Sequence, residues 1–207
     1  MENVYFIVGP HGVGKTYLVN EIRKINEDVI HVDTGPLIRE IHASSKSTLS
    51  LKEWVVQGEN LFGVHFTDMM LSERIKHIVR DNYDKFIIIT GNRSIEGIKF
   101  IVERFKIKQP SIIFLDAPFY ILKNNYEERE KKGLSNIEFG NLIEDENRQG
   151  LQTLKNYVFE NEEYCHYFYK ESNSDITNEE IYNQVILKKV KQKTKKLGGL
   201  YENKFSN

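Results

Sequence analysis

The chain opens on a continuous apolar run, Val4 to Val8, which gives way to a glycine-rich stretch and then to Tyr17, Leu18, Ile22 and Ile25 at helical spacing. An unbroken run of strand length followed by a 3.6-residue period predicts a buried strand, a tight loop and a helix. Asn26-Glu27-Asp28 ends that helix. Val29 to Val32 predicts a second strand, Phe86 to Thr90 a third, Ser111 to Leu115 a fourth running into Asp116-Ala117-Pro118, and Tyr164 to Tyr169 a fifth. The third has no polar residue before Thr90, as expected of a central strand in a parallel sheet. Pro36 suits the first turn of a helix that starts near Gly35. A Ser- and Thr-rich link from Ala43 to Leu49 leads to two helical segments, about Leu51 to Glu59 and Val64 to Arg80, broken between Gly58 and Gly63. Gly91-Asn92-Arg93-Ser94 turns into a helix from Ile95 to Phe105, and a further helix runs from about Phe119 to Lys131. A loop around Gly133 to Gly140, a helix through Leu142, Ile143, Leu151 and Leu154, and a closing helix from Glu179 to Lys195 complete the prediction.

Strands that alternate with helices predict an α/β fold around a parallel sheet. No strand signal occurs between Asp33 and Phe86, so a helical lobe is inserted there. The expected organisation is one domain over 1–207, with a core of 1–35 and 82–196, an insertion of 36–81 and a basic C-terminal tail of 188–207.

At 207 residues the chain can bury a sizeable core. A net charge of −1 gives no electrostatic case for binding nucleic acid or a membrane surface. The tail is basic, but no aromatics alternate with its lysines, which reads as a solvated helix face. The lone Cys165 excludes an intramolecular disulfide, offers no metal-ligand spacing and is expected to be buried. The first apolar run is too short for a signal peptide or a membrane span, so a cytoplasmic protein is expected.

The chemistry concentrates at Gly9-Pro10-His11-Gly12-Val13-Gly14-Lys15-Thr16, which fits G-x-x-x-x-G-K-[ST] at every fixed position and lies between a strand and a helix. Glycines let successive N–H groups turn inward around a phosphate, and the helix dipole adds positive potential. Gly9, Gly12, Val13, Gly14, Lys15, Thr16 and Tyr17 are the candidates for holding the phosphates of ATP. Lys15 would reach the β- and γ-phosphates, and Thr16 would offer its hydroxyl to Mg²⁺. His11 points from the same loop and is a candidate phosphate contact.

Beyond the loop, the chain resembles the nucleoside monophosphate kinase superfamily of P-loop proteins, typified by adenylate kinases and including dephospho-CoA kinases. The resemblance covers about Val4 to Leu154. Thr34-Gly35-Pro36-Leu37-Ile38-Arg39 is similar to the family's T-G-x-L-x-R, which implies acceptor binding by Thr34, Gly35 and Arg39. Arg93, in Thr90-Gly91-Asn92-Arg93, resembles the arginine of D-G-F-P-R that clamps the acceptor phosphate, with Thr90 standing where that motif has its carboxylate. Asp116-Ala117-Pro118 followed by Arg129 resembles the family's D-x-P and lid-entry arginine, and Arg148 a second lid arginine. Asn125 stands where a further lid arginine is expected.

The resemblance implies a three-layer P-loop kinase fold with a five-stranded parallel sheet in the order 2-3-1-4-5, an acceptor-binding role for the insertion and a lid at about 130–148. It further implies an ATP- and Mg²⁺-dependent phosphotransferase acting on a nucleoside monophosphate or nucleotide-like acceptor, as a monomer or homodimer. Catalytic roles then fall to Lys15, Arg93, Arg129 and Arg148. Two carboxylates keep two readings each. Asp33 resembles the aspartate that dephospho-CoA kinases place beside an acceptor hydroxyl, or it caps the helix that follows; Asp116 holds Mg²⁺ through water, or it simply ends its strand. Trp54 and Phe62 pack the insertion or stack on a base. The other functional classes left open are a nucleotide-dependent regulatory or nucleic-acid-associated ATPase and a nucleic-acid end kinase.

Overall fold

The computed structural model describes residues 3–171 apart from 83 and 109, together with 178–181 and 183. Five strands, β1 (Val4–Val8), β2 (Val29–Asp33), β3 (Phe86–Thr90), β4 (Ser111–Asp116) and β5 (Cys165–Tyr169), form one sheet in the order β2-β3-β1-β4-β5. Every pairing is parallel, with Phe6 opposite Ile89 on one side and Ile112 on the other. This is the expected P-loop kinase order. It sets β1 at the centre of the sheet, flanked by β3 and β4.

The helices are α1 (Lys15–Ile25), α2 (Thr34–Ser44), α3 (Leu51–Phe62), α4 (Phe66–Asp81), α5 (Ile95–Arg104), α6 (Phe119–Glu130), α7 (Asn136–Arg148), α8 (Leu151–Glu160) and the short α9 (Asn178–Ile181). They cover both faces of the sheet, because alternate residues of each strand point to opposite sides. Val4, Phe6, Val8, Ile87, Ile89, Ile112 and Phe114 pack against α4, α5 and α8. Tyr5, Ile7, Ile88, Ile113 and Leu115 pack against α1, α6 and Phe139 of α7. Cys165 is buried in β5, as its apolar surroundings led us to expect.

Two boundaries differ from the sequence reading. The loop expected through Gly140 ends at Ser135, whose side chain accepts from the Glu138 amide while Glu138 returns the bond to the Ser135 amide. That reciprocal cap starts α7 early. The single helix expected through Leu154 is instead two, broken at Gly150, which adopts a φ of 108°. The basic tail of 188–207 and most of the predicted closing helix lie outside the described residues.

Candidate functional site

The loop between β1 and α1 lies over the carboxyl end of the central strand, where open α/β sheets bind ligands. Gly9 and Gly12 hold φ of 139° and 80°, and a Cβ on either would overlap a carbonyl oxygen, of Leu115 at Gly9 and of Leu122 at Gly12. Only glycine permits this seating against β4 and α6. Asn125 of α6 fastens it further, its side-chain amide donating to the Gly12 carbonyl at 2.9 Å. Gly14 caps α1 with no side chain bonded to the first amides of the helix.

Lys15 folds back on the loop, with Nζ donating to the carbonyl oxygens of Gly9 at 2.6 Å and Pro10 at 2.9 Å. Burial pulls its pKa down to about 8; Arg93 and Arg129 push the same way, while Glu146 and Asp33 oppose them. An ammonium held this way carries much of its charge at neutral pH and has carbonyl dipoles, but no bonded anion, to surrender to an incoming phosphate.

Glu146, only 3% exposed, joins the loop to the arginine after β3. Its Oε2 accepts from the His11 backbone amide at 2.8 Å and its Oε1 from Arg93 Nε at 3.1 Å. Arg93 also donates through Nη1 to Gln149 Oε1 at 3.1 Å and lies with Nη2 3.0 Å from His11 Nε2. A guanidinium can only donate, so His11 Nε2 accepts and the ring is neutral, with its proton on Nδ1. Burial sets the same state, pulling the His11 pKa down to about 4 against the raising influence of Glu146, with Arg93 lowering it further. The 3.6 Å approach of His11 to Glu146 is therefore no ion pair at neutral pH; the charge partner of Glu146 is Arg93.

Arg129 lies on the same side of the loop. Its guanidinium covers the Tyr126 ring at 5.1 Å, and that ring stands edge-on to His11 at 5.5 Å. Arg148 does not join this group; it is 66% exposed on α7 and pairs with Glu144 and Asp145. Asp33 caps α2, its Oδ1 accepting from the Gly35 amide at 3.1 Å. Asp116 is committed elsewhere: Oδ2 accepts from Lys155 Nζ at 2.6 Å and Tyr167 hydroxyl at 3.0 Å, and Oδ1 from the Ala117 amide at 2.9 Å. A carboxylate so occupied does not fit the metal role expected of it. Thr90 bonds the His31 ring at 2.9 Å. Among the described residues no three His, Cys, Asp or Glu side chains gather around a point where a metal could sit. The exposed Thr16 hydroxyl at the start of α1 does fit Mg²⁺, which takes few protein ligands and completes its shell with phosphate oxygens and water.

A cleft of about 590 Å³ opens beside the loop. Thr34, Gly35, Gly91, Arg93 and Gln149 line one end, and residues of α3 and α4 the other. Arg39, exposed on α2, carries its guanidinium nitrogens within 3.9 Å of where a Cβ on Gly35 would stand. Trp54 is buried against Phe66, with ring centroids at 4.8 Å, whereas Phe62 is 65% exposed.

No family model matches the chain. A comparison with curated proteins found an adenylate kinase of Campylobacter hominis, 25% identical over 206 residues, covering 93% of this chain and all of that protein. That full-length similarity accompanies the 2-3-1-4-5 parallel sheet and the glycine-rich loop at its centre. Sheet order, loop and similarity together fit a P-loop nucleoside monophosphate kinase-like protein. In this kinase-like frame the sequence reading missed Glu146 and Gln149, which hold Arg93, and the clamping role of Asn125. It also missed Lys170, which reaches across from the end of β5 to set Nζ 3.7 Å from the place of a Cβ on Gly14, with burial lowering its pKa. No helix among the described residues is long and apolar enough to cross a membrane.

Proposed function

We propose that the protein is a nucleotide kinase that moves the γ-phosphoryl of ATP, with Mg²⁺, onto a nucleoside monophosphate or nucleotide-like acceptor. The observation that carries this reading is Arg93, which stands within hydrogen-bond reach of the phosphate loop at His11 and also lines the cleft. One guanidinium can thus touch both the moving phosphoryl and the group that receives it. The similarity to an adenylate kinase supports the same reading.

In-line phosphoryl transfer requires charge neutralisation and alignment, with no covalent intermediate. The loop amides and Lys15 would grip the β- and γ-phosphates, and Thr16 would hold Mg²⁺, which would supply positive charge to offset the charge developing there. Arg93, with Arg39 and Thr34 beyond it, would hold the acceptor phosphate in line, and Arg129 would add positive potential from the α6 side. A phosphate acceptor needs no general base, in keeping with Asp33 serving as a helix cap. In this reading the helices of 36–81 form the acceptor lobe and the segment of about 130–148 excludes water on closure.

Arg93→Ala should lower kcat/KM for the acceptor by roughly 10- to 100-fold while shifting the Kd for ATP by less than about 3-fold, the scale of one lost charged hydrogen bond on the acceptor side. Equal losses in both would remove Arg93 from the acceptor site. ATP affinity should also weaken as pH rises through about 8, because the Lys15 ammonium that binds phosphate is then lost. A flat affinity from pH 7 to 9.5 would contradict that assignment. The second reading, a regulatory or nucleic-acid-associated ATPase or an end kinase, is favoured by the threonine at position 90, where no carboxylate orders the water around Mg²⁺. It predicts hydrolysis stimulated by RNA or DNA and by no small acceptor.

A further inference from the structure

Arg93 is held at the mouth of the cleft by three side chains, and the one supplied by the phosphate loop is an imidazole. A guanidinium has five N–H donors. On Arg93, Nε donates to Glu146 Oε1 at 3.1 Å, Nη1 to Gln149 Oε1 at 3.1 Å and Nη2 to His11 Nε2 at 3.0 Å. Glu146 Oε1 and His11 Nε2 lie 3.6 Å apart, side by side as acceptors of neighbouring N–H groups. The remaining N–H on each terminal nitrogen has no partner among the described residues, and the Arg93 side chain, 35% exposed, lines the cleft. Those two donors are the ones left for an acceptor phosphate. The imidazole is itself fixed: the His11 backbone amide donates to Glu146 Oε2 at 2.8 Å, and the Tyr126 ring stands edge-on to the His11 ring at 5.5 Å.

The chemistry of the two neighbouring acceptors differs in a way that matters for an anionic substrate. Glu146 already balances the charge of Arg93. A second carboxylate in the place of His11 would grip the guanidinium harder, but it would turn the site net negative against an incoming phosphate. A neutral imidazole takes the N–H and leaves the charge balance as it was. The ring stays neutral in ordinary buffers, burial pulling the His11 pKa down to about 4 with help from Arg93, Lys15 and Arg129 and against Glu146. We infer, on the kinase reading above, that His11 is a positioning residue, which holds Arg93 so that its two remaining N–H groups meet the acceptor phosphate. The side chain thereby serves the acceptor through Arg93 and not the donor phosphates directly.

The test uses saturating ATP and Mg²⁺ with the best-used of AMP, CMP, GMP, UMP and dTMP. His11→Leu should raise KM for that acceptor roughly 10-fold, the scale of one hydrogen bond to a charged group, and keep the Kd for ATP within about 3-fold. His11→Gln, which can set a neutral oxygen near the Nε2 position, should bring KM back to within about 3-fold of wild type. His11→Glu should be at least as impaired as His11→Leu, although a carboxylate is the stronger acceptor. In an Arg93→Ala background His11→Leu should add less than about 2-fold, because its effect passes through the guanidinium. Nitrogen-15 NMR of the histidine ring, read without substrates, should show Nδ1 protonated and Nε2 bare in wild type, and a gain of Nε2–H in Arg93→Ala. That wild-type spectrum carries the test should a variant fail to fold, which melting temperatures check. An unchanged KM in His11→Leu, a glutamine variant no better than leucine, a full His11→Leu effect without Arg93, or Nε2–H in the wild-type protein overturns the inference and leaves the kinase reading standing. If none of the five monophosphates draws a phosphoryl group from ATP while the Nδ1–H tautomer is found, the kinase reading falls and this role with it.

Discussion

Replacing Lys15 with alanine should cut ATP-dependent turnover by about 100- to 1,000-fold, the usual cost of removing one preorganised charge from a transition state. The ammonium is poised for that task. It rests on two loop carbonyls, at 2.6 and 2.9 Å, and no carboxylate holds it back. When a triphosphate enters, those weak partners are exchanged for phosphate oxygens that gain charge as the bond to the leaving group stretches. Lys15 is half-buried at the start of α1 and bonds two loop carbonyls, so its loss should cost about 1 kcal/mol, a fall of roughly 2–4 °C in melting temperature. Turnover that survives the substitution within threefold would mean that the loop does not serve the reacting phosphates.

Glu146→Ala should have the next largest effect, and it should be felt in stability as well as rate. The carboxylate is buried, satisfies a loop amide and balances Arg93. Removing one member of a buried pair typically costs about 3–5 kcal/mol, but Arg93 is about a third exposed and water will share its charge, so about 2 kcal/mol is the better expectation. For a domain of this size that corresponds to a fall of roughly 4–8 °C in melting temperature. The sign of the electrostatic effect on Lys15 follows from the same geometry. Glu146 raises the Lys15 pKa, so its removal should move the alkaline loss of ATP affinity below pH 8. ATP should restore part of the lost melting temperature, because its phosphates replace the missing negative charge between the loop and Arg93. Glu146→Gln, which keeps an oxygen for the His11 amide, should fall between wild type and alanine. A Glu146→Ala protein that melts within a degree of its parent would show that the carboxylate is not what ties α7 to the loop.

The centre of the sheet was legible in the sequence because β1, β3 and β4 are buried on both faces and therefore read as nearly uninterrupted apolar runs. Phe86 to Thr90 is a strand at those bounds, and the glycine-rich loop was fixed by its own residues. The start of α7 was misread because Gly133 and Gly140 looked like loop punctuation. Gly140 in fact stands in open space on the helix surface, where it is tolerated, and the Ser135-Glu138 cap decides the boundary. Glu146 carried a signal that the reading passed over: Phe139, Leu142, Ile143 and Glu146 share a face at helical spacing, so one carboxylate lies on an apolar stripe. Lys170 and Asn125 carried none, since nothing local marks a residue brought to the loop from over a hundred positions away in sequence. Asp116 shows the opposite failure, in which a motif-like aspartate is consumed by Lys155 and Tyr167 to fasten β4 to its neighbours.

The central claim is transfer of a phosphoryl group between two bound substrates, and product analysis with terminally labelled ATP tests it most directly. Protein, Mg²⁺ and [γ-³²P]ATP should be incubated with each common nucleoside monophosphate in turn and the products separated. The account predicts that label appears in a nucleoside diphosphate with at least one acceptor, and that the Lys15→Ala protein forms little of it. Label that stays in ATP, or emerges only as inorganic phosphate whatever acceptor is present, would contradict it.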